Sequence, residues 1–313
     1  MSMKNIFCVV LLLGLFISCK KEEKLPAIDN AVDLDGTLIN DSSLVFPERF
    51  LLSSAIPSPT AADLSKPVLI AVHGFTATTF EWIEMRDYAK KEGTFLTSLV
   101  LLGGHGRDYA DFKAATWANW QQPIIDEYTK LRALGYTNIN FIASSTGCPL
   151  VLEAIYSAKL EMDVLNDVFF IDPILVPANK TLSIIKVVGP LLKFSATTME
   201  AGENGFWYKY RPYEALDQLN TLVKKVRKKV EHGVVLPGKV HLTVYKSNQD
   251  GSADPISASI LYKGVKHNDG SEIDVSVEKS NLHVFTRLKG RNTITDADVQ
   301  LQQKVFLTIK NAL

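Results

Sequence analysis

The chain has 313 residues, 46% hydrophobic, 22% charged and 9% aromatic, a composition that can bury one large globular core and that fits disorder, collagen or coiled coil poorly. Lys plus Arg and Asp plus Glu each total 34, so no net charge draws the chain toward nucleic acid or other polyanions.

At the start of the chain, Lys4 precedes an apolar run over 6–17 that is too short for a permanent bilayer span but suits the core of a secretory signal. An uncleaved anchor is the alternative. Phe16-Ile17-Ser18-Cys19 resembles the lipobox of bacterial lipoproteins. That resemblance implies a signal peptide over 1–19 and lipidation of Cys19. The charged run Lys20-Lys21-Glu22-Glu23-Lys24 is similar to the tether of surface-exported lipoproteins. The expected location is the bacterial cell envelope, lipid-anchored at the outer membrane with exposure at the surface left open, and with the bilayer as a partner through the N-terminal acyl anchor. Cys8 would leave with the signal, so Cys148 is the one free thiol and no intramolecular disulfide is expected.

Residues 20–46 read as a polar tether. Within it, Asp33-Leu34-Asp35-Gly36-Thr37 spells the nucleophile motif of the haloacid-dehalogenase phosphatases, in which magnesium joins both carboxylates. The preceding Ile28-Asp29-Asn30-Ala31-Val32 does not make the buried strand that such a motif ends, so a solvated Asp/Gly turn is the competing reading.

From residue 66 short apolar runs alternate with longer amphipathic stretches, which predicts parallel strands joined by helical crossovers: an α/β fold over 47–313. Strands are expected at 68–72, 95–101, 139–143, 168–171, 240–245 and 273–277. Helices are expected at 80–91, 117–134, 148–157 and 217–230, with further helices after Pro255 and at the C-terminus.

The sharpest motif is Phe141-Ile142-Ala143-Ser144-Ser145-Thr146-Gly147-Cys148, which passes from a buried strand into a helix. A nucleophile on such a turn needs small residues two before and two after it, because the strand and helix backbones nearly touch there. Ser145 has Ala143 and Gly147 in those places, whereas Ser144 has Ile142 and Thr146. Ala143 stands where G-x-S-x-G has glycine, and a plain helix-start serine is the alternative. About seventy residues upstream the first strand ends in His73-Gly74-Phe75-Thr76. A turn there can offer the Phe75 N–H, together with the Thr146 N–H, as an oxyanion hole. His73 reads as a turn former and not as a base.

These blocks, with Gly103-Gly104-His105-Gly106-Arg107, Thr116-Trp117, Trp120, Leu134-Gly135-Tyr136 and the stretch 208–230, resemble the bacterial carboxylesterases and monoacylglycerol lipases of the α/β-hydrolase fold. The resemblance runs from Pro67 to the C-terminus and implies a mostly parallel sheet flanked by helices, with a small helical cap inserted at about 173–212. It also implies that His105 is a structural loop residue. On this fold the acid and base follow the serine in the order Ser, Asp, His. Asp250 has the spacing to Pro255 and Ser257-Ala258 of the family's acid loop; Asp172 is the reserve acid, and Asp254 reads as a helix cap. Ser280-Asn281-Leu282-His283-Val284 is similar to the family's base loop, while His73, His105, His232, His241 and His267 fit other places.

The expected chemistry is hydrolysis of a small-molecule carboxylic ester by Ser145, His283 and Asp250 through an acyl-enzyme, with Phe75 and Thr146 receiving the oxyanion. It calls for no metal and no organic cofactor. Substrate choice is expected to lie in the insertion, where Leu182, Ile184, Ile185, Val187, Val188, Leu191, Leu192 and Phe194 are apolar and Phe206-Trp207-Tyr208 follows a Gly-containing turn. Leu219, Val223, Val226 and Val230 recur at helical spacing between lysines, a core stripe under a solvated basic face. A binding or envelope-structural lipoprotein on the same fold is the second reading, kept open by Ala143 and Cys148. The magnesium phosphatase is the third.

Overall fold

The computed structural model describes residues 47–313 apart from 180, 181, 183, 184, 186–188 and 190–192. The expected signal peptide, Cys19, the tether and the Asp33/Asp35 motif lie outside the described residues, as do Ile184, Val187, Val188, Leu191 and Leu192.

Six strands form one sheet: β1 Val68–Val72, β2 Leu96–Val100, β3 Ile139–Ser144, β4 Leu165–Ile171, β5 His241–Ser247 and β6 Asp274–Glu278. Their order is β6-β5-β4-β3-β1-β2 and every pair is parallel. A parallel sheet is covered on both faces, which is why β1 and β3 are buried along their whole length. Side chains alternate between the two covers. Val68, Ile70, Val72, Phe141 and Ala143 enter one core, and Leu69, Ala71 and Ile142 enter the other.

The first core is closed by α2 Trp117–Ala133, α3 Gly147–Tyr156, α4 Tyr213–Glu231 and α5 Ile256–Gly264, the second by α1 Ile83–Glu92 and α6 Asp296–Ala312. The stretch expected to be helical from residue 80 opens as a 3₁₀ turn, Thr79–Trp82, with Thr78 accepting from the Phe80 N–H, before α1 begins. A helix at Tyr109–Ala114, capped by Asp108, was not expected: six residues are too few to show a 3.6-residue period.

Two buried polar side chains make sense of the layout. Asn140 sits inside β3, where its Nδ2 donates to the Val68 carbonyl at 3.2 Å and its Oδ1 accepts from the Asp167 N–H at 2.9 Å. The amide thereby fills the gap where the β3–β4 register shifts. Glu153 on α3 accepts from Gln121 on α2 at 2.7 Å, from Lys159 at 2.8 Å and from Lys225 on α4 at 2.7 Å. Burial alone would raise its pKa, but these hydrogen bonds outweigh burial and hold the carboxyl at about 2. The expected basic face of α4 is thus partly engaged, since the Lys225 ammonium also lies 4.5 Å from the Trp117 ring centre. The expected stripe of Leu219, Val223, Val226 and Val230 is buried.

Between β4 and α4, the described part of the insertion contains an antiparallel pair, Phe194–Ala196 with Tyr210–Pro212, in which Ser195 faces Arg211. Phe194, the end of the apolar run read in the insertion, lies in this pair, opposite Pro212. Tyr208 fastens the insertion to the body: its N–H donates to the Thr76 carbonyl at 2.9 Å, and its hydroxyl accepts from the Arg107 N–H at 3.0 Å. Its ring stacks on Phe112 at 4.1 Å.

The chain steps from β1 outward to β2, then crosses back over β1 to β3. At such a reversal the loops leaving neighbouring strands diverge, so a crevice opens beyond the carboxyl ends of β1 and β3. The strength of this frame can be tested at its centre. Phe141 is fully buried and stacks on Tyr128 at 5.8 Å. Phe141→Ala is expected to cost about 3–5 kcal/mol, read as a lower urea midpoint at unchanged slope.

Candidate active site

Four non-glycine residues at the carboxyl ends of the strands have left-handed backbones: Thr76 (φ 66°), Ser145 (φ 47°), Asp172 (φ 48°) and Val284 (φ 53°). Each costs on the order of 1–3 kcal/mol, most severely at the β-branched Thr76 and Val284. All four lie around the crevice, so the strain is concentrated there.

Ser145 occupies the turn between β3 and α3, and its N–H donates to the Ile171 carbonyl at 3.0 Å. A Cβ on Gly147 would lie 2.7 Å from the Val72 carbonyl oxygen and 2.9 Å from that of His73, so only glycine permits this approach. Ala143 is fully buried, in register with Val72 and Phe170. The Cys148 thiol is buried against the Ala143 carbonyl at 3.2 Å, and burial pushes its pKa well up, which keeps it a thiol. Both departures from the expected elbow are therefore accommodated by packing.

Neither the Phe75 nor the Thr146 backbone N–H donates to a described residue. The neighbouring Gly74 N–H is held by Glu81 Oε1 at 2.8 Å, and the same oxygen accepts from the Ser144 hydroxyl. Glu81 is buried and was not foreseen as a site residue. Its one trace in the sequence is an acid inside the apolar stretch Phe80-Glu81-Trp82.

His283 Nδ1 donates to Asp250 Oδ2 at 2.8 Å. Asp250 Oδ1 accepts from the Ser252 and Ala253 N–H groups at 2.7 and 3.1 Å. The Lys246 ammonium, fully buried, binds Asp250 and also Asp172 at 3.0 Å. Burial pushes the Asp250 pKa up, but hydrogen bonding and charge from His283, followed by the charge of Lys246, hold it well below the usual carboxylate range. Asp172, the reserve acid, does not hold the imidazole. Its oxygens take Lys246, the Ser247 N–H at 2.7 Å, the Ser247 hydroxyl at 3.1 Å and the Phe285 N–H at 3.4 Å. Ligand atoms of Asp172, Asp250 and His283 lie within 4.8 Å of one another, but the cation joining the two carboxylates is the ammonium.

The other histidines are engaged elsewhere. His73 donates through Nδ1 to the Gly74 carbonyl at 2.8 Å and accepts at Nε2 from the Leu102 N–H at 3.0 Å, a pairing open only to the neutral ring. Burial lowers its pKa to about 4. His105 is buried edge-on to Trp120 and Phe112. His232 caps α4, and His241 stacks on His267 at 4.6 Å on the surface. A two-residue strand, Val265–Lys266, precedes His267, where none was expected. Asp254, read as a helix cap, lies one residue before the N-cap Pro255 and accepts from the N–H of Ile256, the first residue of α5, at 3.0 Å.

Two cavities meet at Ser145 and His283, and both are also lined by Phe75, Arg211 and Ser252. One, of about 390 Å³, adds Thr146, Ile174, Leu182, Ile185, Leu216 and Leu219. The other, of about 220 Å³, is polar and adds Glu81, Glu203, Trp207, Arg287 and Arg291. The structure thus brings Ser145, His283, Asp250, Phe75 and Thr146 to one crevice.

Comparison with known proteins agrees with this architecture. No protein-family profile matches the chain, and no curated protein sequence does. Among solved structures, the chain is similar to a metagenome-derived lipolytic enzyme of the LipS and LipT pair, with a TM-score of 0.63 at 17% identity over 80% of this chain and 95% of that one. A monoacylglycerol lipase from Paleococcus ferrophilus aligns with a TM-score of 0.61 at 11% identity over 79% and 96%. The chain has the α/β-hydrolase fold. A soluble variant of the Saccharomyces cerevisiae monoglyceride lipase, bound to a substrate analogue, aligns with a TM-score of 0.62 at 10% identity over 81% of this chain and 88% of that one.

Two electrostatic tests follow. Lys246→Met keeps the stem but leaves two buried carboxylates facing each other, an expected loss of about 3–5 kcal/mol at neutral pH. One carboxyl then takes up a proton more readily folded than unfolded, so the penalty should shrink as pH falls toward 4; urea unfolding at pH 7 and pH 5 reads this. His73 has the opposite sign. Its folded pKa lies below the ordinary value of 6.5, so the unfolded chain binds the proton first, and stability should be lost as pH falls from about 6.5 to about 4. The loss is on the order of 3 kcal/mol, and His73→Asn should remove that part of the slope.

Proposed function

We propose that the chain is a serine hydrolase that cleaves carboxylic esters through an acyl-enzyme. The observation that carries this reading is the left-handed turn at Ser145, which directs a serine into a crevice shared with His283, itself hydrogen-bonded to Asp250. The likeness in fold to lipolytic enzymes supports ester hydrolysis in general.

In the proposed reaction His283 takes the Ser145 proton through Nε2 while Asp250 fixes the Nδ1–H tautomer and stabilises the imidazolium. The alkoxide attacks the ester carbonyl, and the Phe75 and Thr146 N–H groups receive the oxyanion, each worth about 2.7–4 kcal/mol in the transition state. The alcohol leaves with the proton from His283. Water activated by the same imidazole then releases the acid. The larger, apolar cavity suits the acyl chain of a monoacylglycerol or another short- to medium-chain ester. A lipid on Cys19 would hold this crevice at the envelope membrane, beside acyl-ester substrates.

Hydrolysis of a chain-length series of nitrophenyl and glyceryl esters, with chelator present, tests the proposal. Wild type should turn over, with an optimum set by the apolar cavity. Ser145→Ala is expected to lose about 10⁴-fold or more in kcat, and Asp250→Asn about 10⁴-fold. Full activity in Ser145→Ala, or silence of folded wild type across the whole series, would overturn it. Chelator-sensitive phosphatase activity that disappears when residues 20–46 are removed would favour the Asp33/Asp35 reading instead.

A further inference from the structure

The polar cavity beside Ser145 contains three arginines, and their partners differ. Arg287 binds Glu203 at 2.6 Å, and its guanidinium carbon lies 4.6 Å from the Trp207 ring centre. Arg291 donates to the His283 and Val284 carbonyls and lies 3.9 Å from Glu200. The acids are engaged as well: Glu203 by Arg287, and Glu81 by the Gly74 N–H and the Ser144 hydroxyl.

Arg211 is the exception. It lines both cavities, yet among the described residues its guanidinium has neither an ion pair nor a hydrogen bond, and its Nε is buried without a partner. The burial is strong enough to lower its pKa, with Glu203 offsetting part of the effect. A largely desolvated guanidinium with no carboxylate in direct contact is costly, and its planar fork of donors matches a carboxylate or phosphate. The Arg211 backbone lies opposite Ser195 in the antiparallel pair. The apolar cavity is the one fitted to an acyl chain; Arg211 borders it as well, but Arg287 and Arg291 line only the polar cavity, which leaves that cavity for the other side of the ester.

We infer that the ester cleaved at Ser145 carries an anionic group, a carboxylate or a phosphate monoester, on its alcohol side, and that Arg211 binds this group in the polar cavity. The inference rests on the ester-hydrolase reading and narrows its substrate class. Neutral monoacylglycerols then become poor relatives of the preferred substrate. Arg211 acts as a specificity determinant and takes no part in bond making.

Two matched pairs of octanoyl esters test this on the full chain: butyl octanoate against 4-(octanoyloxy)butanoate, and 1-octanoylglycerol against its 3-phosphate. Wild type should prefer the anionic member by about tenfold to a hundredfold in kcat/KM, mostly through KM, in at least one pair; the pair that responds distinguishes carboxylate from phosphate. Arg211→Gln should bring the ratio within about twofold of unity, and Arg211→Lys, which keeps the charge but not the fork, should fall between. Equal rates in both pairs for wild type, or a preference that survives Arg211→Gln, overturns the inference. Calorimetric binding of the same pairs to Ser145→Ala reads the anion site without turnover. Wild type silent on every ester, combined with anion-selective binding lost on adding Arg211→Gln, would overturn the hydrolase reading and retain the anion site. Equal binding of neutral and anionic members would overturn the site itself.

Discussion

The geometry of the crevice depends on a cation buried inside the protein. The Lys246 ammonium lies between Asp172, at the end of β4, and Asp250, in the loop after β5, and both carboxylates face it without access to water. Asp172 also receives the Phe285 N–H, and Asp250 receives His283, so the segment after β6 is drawn to the same point. Three strand ends are thereby tied through one charge cluster. Such a cluster is a poor source of net stability, because desolvating the ions costs about as much as their attraction returns. What it confers is a single arrangement, since any shift of one loop leaves an unpaired buried charge. With a neutral imidazole the cluster Asp172, Lys246, Asp250 and His283 carries one net negative charge, and a proton on His283 balances it.

A second constraint acts at the switch between β1 and β3. The helix after Ser145 starts so close to the end of β1 that Gly147 admits no side chain, and Gly74 faces Ser145 at the limit of contact. Glu81 completes this junction by holding the Gly74 N–H, which fixes the turn that carries the Phe75 N–H. Backbone in the left-handed region at Thr76 and Ser145 is the local cost, offset by the two cores that cover the sheet. At this junction the strain at Thr76 and Ser145 and the exposure of the Phe75 and Thr146 amides share one origin, the close meeting of strand, turn and helix.

These constraints also explain what could be read in the sequence. The strands were legible because a doubly covered parallel sheet demands unbroken apolar runs, and all six expected strands are present with ends moved by three residues at most. Ser145 was legible because the steric demand falls on neighbours close in sequence. His283 and Asp250 were found through chain order and family likeness. Lys246 and Glu81 were not found, for a common reason: each acts across long sequence separations, Glu81 reaching Ser144 and Lys246 reaching Asp172, and a lone charged residue in an apolar segment does not reveal its partner. The antiparallel pair of the insertion escaped because three-residue strands have too few positions to show alternation.

The two cavities divide the crevice by chemistry as well as by space. The apolar one is built from the loop after β4, the insertion and the start of α4, through Ile174, Leu182, Ile185 and Leu219. Apolar contact is non-directional, so a segment supplying only such contacts can vary in detail and still hold a chain. The polar one is lined by groups held by other bonds, Glu203 on Arg287 and Glu81 on the Gly74 N–H, and by Arg211, whose backbone alone is tied, through its paired strand. Directional recognition requires such anchoring, because a guanidinium free to swing loses its fork geometry and the entropy of being held. On the proposed reading, an ester lying across Ser145 would therefore meet tolerance on its acyl side and discrimination on its alcohol side.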